Sequence, residues 1–180
     1  MANPSSSSGR LPAGDDPFAL LGLAPAFDVD LEELERRFFE RSKQLHPDRA
    51  AGATAAERVA VLSRSRALND AYQLIKKPMS RAEYLLARAG VSIGDNERLD
   101  PTFLMEILEL REELAEARAA GKSELVGRLA GAMQARRNQA LDALPALFAA
   151  ADHAAIKDRV ILLRYMNRYL EECEAALDEA

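Results

Sequence analysis

The chain has 180 residues, of which 48% are hydrophobic and 29% are charged, and its formal net charge is −5 at pH 7. It holds no apolar stretch near the roughly 20 residues that a membrane-spanning helix needs, and its single cysteine, Cys173, cannot form an internal disulfide. These features exclude a disulfide-stabilised or membrane-spanning protein, and they predict one medium or two small domains in a reducing cytoplasm.

The residue types favour helices throughout the chain. Tryptophan is absent, and no alternating run of β-branched residues is long enough to predict a sheet, so we expect an all-α fold. Basic and acidic residues number 13 and 12 in residues 1–90, but 11 and 17 in residues 91–180. Because neutralising phosphates needs a basic face, the second half is a poor candidate for a nucleic-acid interface, and we expect no nucleic-acid partner.

Residues 1–14 are rich in serine and have neither the apolar core of a secretion signal nor an arginine-rich amphipathic pattern, which predicts a disordered tail. A short helix follows, because Asp16 and Pro17 form a helix start and Gly22 forms a helix end. Asp30, with Glu33 three residues later, has the form of a capping box and predicts the start of a second helix.

The second helix is predicted to be amphipathic. Apolar or small residues recur at spacings of three and four, which predicts a core stripe of Leu31, Leu34, Phe38, Ser42 and Leu45. The opposite, partly basic side holds Arg36, Arg37, Glu40 and Lys43. Because Pro47 disfavours helical geometry at the residue before it, the helix should end near His46.

The tripeptide His46-Pro47-Asp48 is therefore predicted to lie in a loop between two helices. Thr54 and Glu57 form a second capping box, and a further helix should continue to Pro78. Its apolar positions at helical intervals are Val59, Leu62, Leu68, Tyr72 and Ile75. Pro78 can also begin a short fourth helix that ends at Gly90.

The order of short helix, amphipathic helix, His-Pro-Asp loop and long helix resembles the J-domain family over roughly residues 16–77. An aromatic residue before a Leu-Gly pair in the first helix, Phe18 before Leu21-Gly22, adds to the resemblance. Without the flanking helices, a turn would be the better explanation of the tripeptide, since proline and aspartate favour turns for backbone reasons.

A turn-rich connector at residues 91–99 precedes a helix that Asp100 should cap. This helix has a core stripe of Phe103, Ile107, Leu110 and Leu114, and beside it lie Leu104, Met105 and Leu108. We expect some of these three to be exposed, although spacing alone also allows them to widen the core.

Two further helices are predicted in the C-terminal half. Ser123 is expected to cap a helix that carries Leu125, Leu129, Met133, Leu141 and Leu144, with a bend or end near Pro145. Asp152 is expected to cap a helix that carries Ile156, Val160, Leu163, Leu170 and Leu177.

The segments 81–86, 103–106, 108–114 and 163–166 together resemble the HscB family, J-proteins specialised for bacterial iron–sulfur cluster assembly. The resemblance is strong in the J-domain and in the Asp100 helix, and weaker after Lys122. It implies a J-domain at 15–90 after the tail at 1–14, the connector at 91–99 and a three-helix scaffold-binding bundle at 100–180. The family's two partners would be an HscA-type 70-kDa heat-shock chaperone and an IscU-like iron–sulfur scaffold protein.

Carried over by position, the resemblance assigns two sets of binding residues. The chaperone-binding set is His46, Pro47, Asp48, Arg36, Arg37, Arg41 and Lys43, with the cations as a basic helix that meets an acidic chaperone surface. The scaffold-binding set is Leu104, Met105, Leu108, Glu109, Glu112, Glu116 and Tyr165. At Tyr165 the family pattern has phenylalanine, so the hydroxyl must find water or a partner.

The resemblance implies a co-chaperone that stimulates the chaperone's ATPase and is not itself an enzyme, with no cofactor and no membrane partner. The alternative is a general J-protein that delivers unfolded polypeptides, but no glycine-rich linker, cysteine-rich repeat or β-rich client domain follows the predicted J-domain. An enzyme or metal site using His46 and Asp48 would need convergent groups, and the only other histidine is His153.

Overall fold

The computed structural model describes residues 16–45, 54–94, 97 and 100–179. In these residues the chain forms eight helices and no strand, which confirms the predicted all-α fold. The helices are α1 (Pro17–Leu21), α2 (Leu31–Gln44), α3 (Ala55–Lys76), α4 (Pro78–Arg88), α5 (Pro101–Ala119), α6 (Ser123–Asp142), α7 (Leu144–Ala149) and α8 (His153–Asp178). None of these helices has the length and apolarity needed to cross a membrane.

The chain divides into two compact units, residues 1–92 and residues 93–180. The N-terminal unit contains α1 to α4, in which α3 packs against α1, α2 and α4. The C-terminal unit contains α5 to α8, in which α8 packs against α5, α6 and α7. The division falls within the predicted connector at 91–99.

The helices of the N-terminal unit begin where side chains accept hydrogen bonds from the first free backbone N–H groups. Asp16 accepts from the Phe18 N–H at 3.0 Å, and Asp30 accepts from two N–H groups at the start of α2. Thr54 and Glu57 form the predicted capping box of α3. These starts are confirmed because each depends on residues within one helical turn.

The core of the N-terminal unit lies where α2 and α3 pair and where α1 covers them. Phe38 stacks on Tyr72 with ring centres 4.3 Å apart, and Leu34 is fully buried beside them. Phe18 of α1 lies 5.9 Å from the ring of Tyr84 in α4. The buried residues of this cluster are Phe18, Leu21, Leu34, Leu68, Ala71, Tyr72, Ile75 and Tyr84.

Three apolar residues predicted to lie on core stripes are instead exposed: Leu31, Val59 and Leu62. Leu31 is the first residue of α2 and precedes the part of the helix that packs against α3. Val59 and Leu62 lie in the first turns of α3, which is eight residues longer than α2 and so about 12 Å longer. Helical spacing predicts which face of a helix a residue lies on. It does not predict how far along that helix the partner helix extends.

Arg81 is the one buried charged side chain among the described residues. Its Nη1 donates to the carbonyl oxygen of Ile75 at 2.6 Å, and its guanidinium carbon lies 4.9 Å from the ring centre of Phe27. Burial lowers the pKa of Arg81, and the charge of Asp28 partly offsets this effect. Arg81 thus satisfies a carbonyl at the C-terminal end of α3 and fixes the turn into α4.

In the C-terminal unit, α5 and α8 begin at the predicted caps. The carboxylate of Asp100 accepts from two backbone N–H groups, and that of Asp152 accepts from the Ala155 N–H at 3.0 Å. Ser123 was wrongly predicted as a cap: Gly121, with φ +63°, closes the end of α5, and Ser123 is already the first residue of α6. The predicted break near Pro145 is confirmed, since α6 ends before it and the short α7 contains it.

Leu177 was predicted to be in the core, but it is 40% exposed. The prediction followed seven-residue steps from Leu163 through Leu170, and such steps drift about 20° per heptad around a straight helix. The inward stripe of α8 instead continues through Tyr169, Cys173 and Ala176.

Replacing Arg81 by alanine should lower the free energy of unfolding by about 2–4 kcal/mol, because the substitution leaves the Ile75 carbonyl without its donor and opens a cavity beside Phe27. Urea unfolding followed by circular dichroism measures this effect. Arg66→Ala is the matched control, since Arg66 is exposed and only loosely paired with Asp70 at 3.9 Å; its effect should stay within about 0.5 kcal/mol. Equal effects of the two variants would contradict the structural role of Arg81.

Asp16→Asn keeps the helix cap but loses the charge that pairs with Arg88, so it should destabilise the chain by up to about 1 kcal/mol at pH 7, and the difference from the native chain should shrink as the pH falls. Partial burial alone raises the pKa of Asp16, but hydrogen bonds from the Phe18 N–H, the Tyr84 hydroxyl and Arg88 outweigh burial and lower it. A lowered native pKa gives stability that is present above the ordinary value of 3.8 and is lost below it. Thermal unfolding at pH 7 and at about pH 3 tests this, and an unchanged difference would contradict it.

Candidate partner-binding surfaces

The first candidate surface lies on α2. The predicted His46, Pro47 and Asp48 are outside the described residues, while α2 ends at Gln44, two residues before them. The four predicted cations, Arg36, Arg37, Arg41 and Lys43, all lie on this helix. Arg36 and Lys43 are exposed, whereas Arg37 and Arg41 are half-buried.

Arg36 and Arg37 form ion pairs within α2. The Nη2 of Arg36 lies 2.6 Å from Glu33, and its Nη1 lies 2.8 Å from Glu40. The Nε of Arg37 donates to the second oxygen of Glu33 at 2.5 Å. Hydrogen bonds from Arg37 and Arg36 lower the pKa of Glu33, and the bond to Glu33 raises the pKa of Arg36. Much of the positive field of these two residues is therefore neutralised within the helix.

Arg37 and Arg41 also lie against the end of α1. Gly22 has φ +70°, and its carbonyl oxygen accepts a hydrogen bond from Arg37. The guanidinium of Arg41 occupies the space that a Cβ at Gly22 would need. Arg37 thus joins α2 to the end of α1, and Arg41 lies against the same glycine.

The α2 helix as a whole carries no net charge, although the four predicted cations lie on it. Between Leu31 and Gln44 the helix has four acidic and four basic residues, so its formal charge is zero. The acids Glu32 and Glu33 lie in its first turn, and the bases Arg41 and Lys43 lie in its last. This distribution complements the helix dipole and leaves a positive end rather than a positive face.

The second candidate surface lies on α5, and its centre is apolar. Leu104, Met105 and Leu108 are 42%, 58% and 51% exposed, whereas Phe103 and Ile107 of the same helix are buried. All three residues therefore lie outside the core, and the alternative that they widen the core stripe is excluded. Three large apolar side chains within two turns make a patch of the kind found at the centre of protein interfaces.

Exposed acids continue this surface along the helix. Glu109, Glu112 and Glu116 follow Met105 at helical spacing and are all exposed. Glu106 is different, because both of its oxygens bind Arg136 of α6, and these hydrogen bonds lower its pKa. The acidic rim therefore consists of the three glutamates beyond the apolar patch.

The register of α5 against α8 places Tyr165 level with this patch along the helix axes. Two oxygens of Glu172 accept from Arg111 at 3.0 and 2.7 Å, and Glu179 accepts from Arg118. Both pairs join residues 61 positions apart, so the two helices run parallel with a fixed offset. The same offset places Tyr165 level with Leu104. Tyr165 is half-buried, and the guanidinium carbon of Arg168 lies 5.8 Å from its ring centre.

Sequence reasoning did not identify one exposed aromatic residue, Phe39, in the first surface. Phe38 and Phe39 are adjacent, and the spacing assigned only Phe38 to the core stripe without giving Phe39 a role. The structure buries much of Phe38 against Tyr72 and leaves Phe39 54% exposed. Among the described residues, no group of three or more histidine, cysteine, aspartate or glutamate side chains is arranged to hold a metal ion.

Comparisons with known proteins agree on one family. Residues 99–174 match the family model described as the HSCB C-terminal oligomerisation domain. The chain is 38% identical over 169 residues to a co-chaperone protein HscB homolog of Bordetella petrii, covering 91% of this chain and 97% of that protein. It is 46% identical over 101 residues to the co-chaperone protein HscB of Proteus mirabilis, covering 55% of this chain and 58% of that protein. The solved structure of chaperone HscB from Vibrio cholerae matches with a TM-score of 0.79 and 32% identity, covering 91% of this chain and 98% of that one.

Replacing Leu104, Met105 and Leu108 together by alanine should leave the helical content unchanged and alter the free energy of unfolding by less than about 1 kcal/mol, because exposed side chains add little to the core. Leu114→Ala is the control on the same helix: Leu114 is 5% exposed, and its loss should cost about 2–5 kcal/mol. Denaturant unfolding of both variants measures the difference. A triple variant as unstable as Leu114→Ala would place the three residues in the core.

Proposed function

This chain belongs to the HscB family of co-chaperones, and on that premise we propose that it binds an IscU-like iron–sulfur scaffold protein and delivers it to an HscA-type 70-kDa heat-shock chaperone. Binding would stimulate the ATPase of the chaperone and so promote the assembly and transfer of iron–sulfur clusters. In this proposal each unit of the chain provides one binding surface, and the chain acts as an adaptor.

The apolar patch on α5 is the observation that carries the scaffold half of the proposal. Leu104, Met105 and Leu108 are exposed together, and none of them is needed to close the bundle. Burying them against a partner would supply affinity, while Glu109, Glu112 and Glu116 at the rim would favour a partner with basic residues at its own rim. Tyr165 would add an aromatic ring at the α8 side, with its hydroxyl left in contact with water.

The chaperone half of the proposal rests on the His-Pro-Asp sequence and on the helix that leads to it. The last turn of α2 holds Arg41 and Lys43 and ends at Gln44, so its positive end adjoins the segment that contains His46 and Asp48. We propose that this end of α2 orients the chaperone and that the tripeptide triggers ATP hydrolysis. Arg36 would contribute as a member of the Glu33–Arg36–Glu40 group rather than as an isolated charge.

The proposed adaptor performs no chemistry of its own. ATP hydrolysis would take place in the chaperone and the cluster would be held by the scaffold, so we propose neither a resident cofactor nor a catalytic residue in this chain. The cytoplasm is the proposed compartment, because a single thiol needs no oxidising environment.

The deciding experiment measures the single-turnover ATPase rate of the HscA-type chaperone with an IscU-like scaffold and compares the native chain with two variants. We expect stimulation by the native chain, further stimulation when the scaffold is present, and loss of both with His46→Gln. Leu104, Met105 and Leu108 changed together to alanine should remove only the dependence on the scaffold, and the affinity for the scaffold should fall at least about tenfold.

Leu62→Ala is the matched control, because it removes a leucine that is 59% exposed from α3, in the other unit of the chain. It should retain the native affinity for the scaffold. Stimulation that is indifferent to the scaffold would instead support a general J-protein, and an absence of any stimulation by the native chain would refute the co-chaperone activity. An unchanged scaffold affinity in the triple variant would show that the binding surface lies elsewhere.

A further inference from the structure

Phe39 is the most exposed aromatic residue of this chain. The sequence contains six phenylalanines and four tyrosines, and all ten lie within the described residues. Nine of them are buried or half-buried, whereas Phe39 is 54% exposed. A large ring that adds little to the core is of the type that most often carries the energy of a protein interface.

The packing of α2 prevents Phe39 from turning inward. Phe38 stacks on Tyr72 at 4.3 Å with the rings only 19° from parallel, and this contact fixes the rotation of the helix. Phe39 is then 100° further around the helix, with its ring centre 5.8 Å from that of Phe38. Its neighbours one turn away, Glu35 and Lys43, are both exposed. Phe39 therefore lies in the middle of the outward face of α2.

The charges of the same face are balanced. Arg36 lies between Glu33 and Glu40, and the helix as a whole has a formal charge of zero. A partner approaching this face meets a field that changes sign within a few ångströms, which gives little long-range attraction. Affinity for this face must come mainly from short-range contact, and Phe39 is its large apolar group.

We propose that Phe39 anchors this chain to a nonpolar patch on the ATPase domain of the 70-kDa chaperone. The inference rests on the proposed function, because Phe39 lies between Arg36 and Lys43 of the proposed chaperone-binding set and is continuous with that surface. The partner patch would be apolar at its centre, with charges of both signs around it to match Arg36, Glu40 and Lys43. Recognition would then depend less on ionic strength than docking onto a uniformly basic helix would.

The test is a titration of the HscA-type chaperone with this chain, without scaffold, in which the concentration giving half-maximal ATPase stimulation is measured. We expect Phe39→Ala to raise this concentration about tenfold. Phe39→Leu should keep it close to the native value, because leucine retains a large apolar side chain at this position. Phe39→Lys should be no better than Phe39→Ala, since charge is not what the site requires. For the native chain the value should change about twofold or less between about 0.05 and 0.2 M ionic strength.

Leu31→Ala is the matched control, because Leu31 lies on the same helix, is 51% exposed and is eight residues from Phe39. It should stimulate like the native chain, and circular dichroism should show equal helicity for all variants. Native behaviour of Phe39→Ala, a gain with Phe39→Lys, an equal loss with Leu31→Ala or a steep dependence on salt would each overturn the inference. His46→Gln separates the two proposals: if it abolishes stimulation while Phe39→Ala does not impair it, the proposed function stands and the anchor does not.

Discussion

The stacking of Phe38 on Tyr72 determines what the N-terminal unit presents to a partner. A helix packed on one side can still rotate, and each rotation would expose a different set of side chains. The two aromatic rings, together with the fully buried Leu34, select one rotation of α2. That rotation faces Arg36 and Phe39 outward and directs Arg37 and Arg41 toward α1. The partner surface is thus a consequence of core packing.

A comparable constraint acts in the C-terminal unit, where α5 has to fill the bundle core with one face and align with α8 at the same time. Phe103, Ile107 and Leu114 fill the bundle, and the pairs Arg111–Glu172 and Arg118–Glu179 hold α5 in register with α8. With rotation and register both fixed, Leu104, Met105 and Leu108 have no place in the core. The buried hydroxyl of Tyr169 donates to the Leu110 carbonyl at 3.3 Å and adds a polar contact to the same pairing. An exposed apolar patch level with Tyr165 follows from this packing.

The features predictable from the sequence were those decided within one or two helical turns. Asp16, Asp30, Thr54, Asp100 and Asp152 cap helices as predicted, because a cap needs only its own side chain and the next three N–H groups. The errors have different causes. Val59 and Leu62 have the right spacing but lie where α3 exceeds α2 in length, and Leu177 follows a heptad that drifts off the inward stripe. On α2, the spacing correctly assigned Phe38 to the core stripe, but the ion pairs of Arg36 and Arg37 with Glu33 are visible only in the structure.

The contacts at Gly22 limit how this co-chaperone could change its partner. A side chain at Gly22 would collide with Arg41 and strain a backbone at φ +70°, so α1, Gly22 and the two arginines form one structural unit. Altering Arg37 would also remove its hydrogen bond to the Gly22 carbonyl and so loosen the attachment of α1 to α2. Substitutions at Phe39 and Lys43 would not disturb this attachment, since both side chains are exposed on the outward face of the helix. In the proposed chaperone-binding surface, evolution or design of a new specificity therefore has most freedom at those two positions, while Arg37 is held in place by the fold.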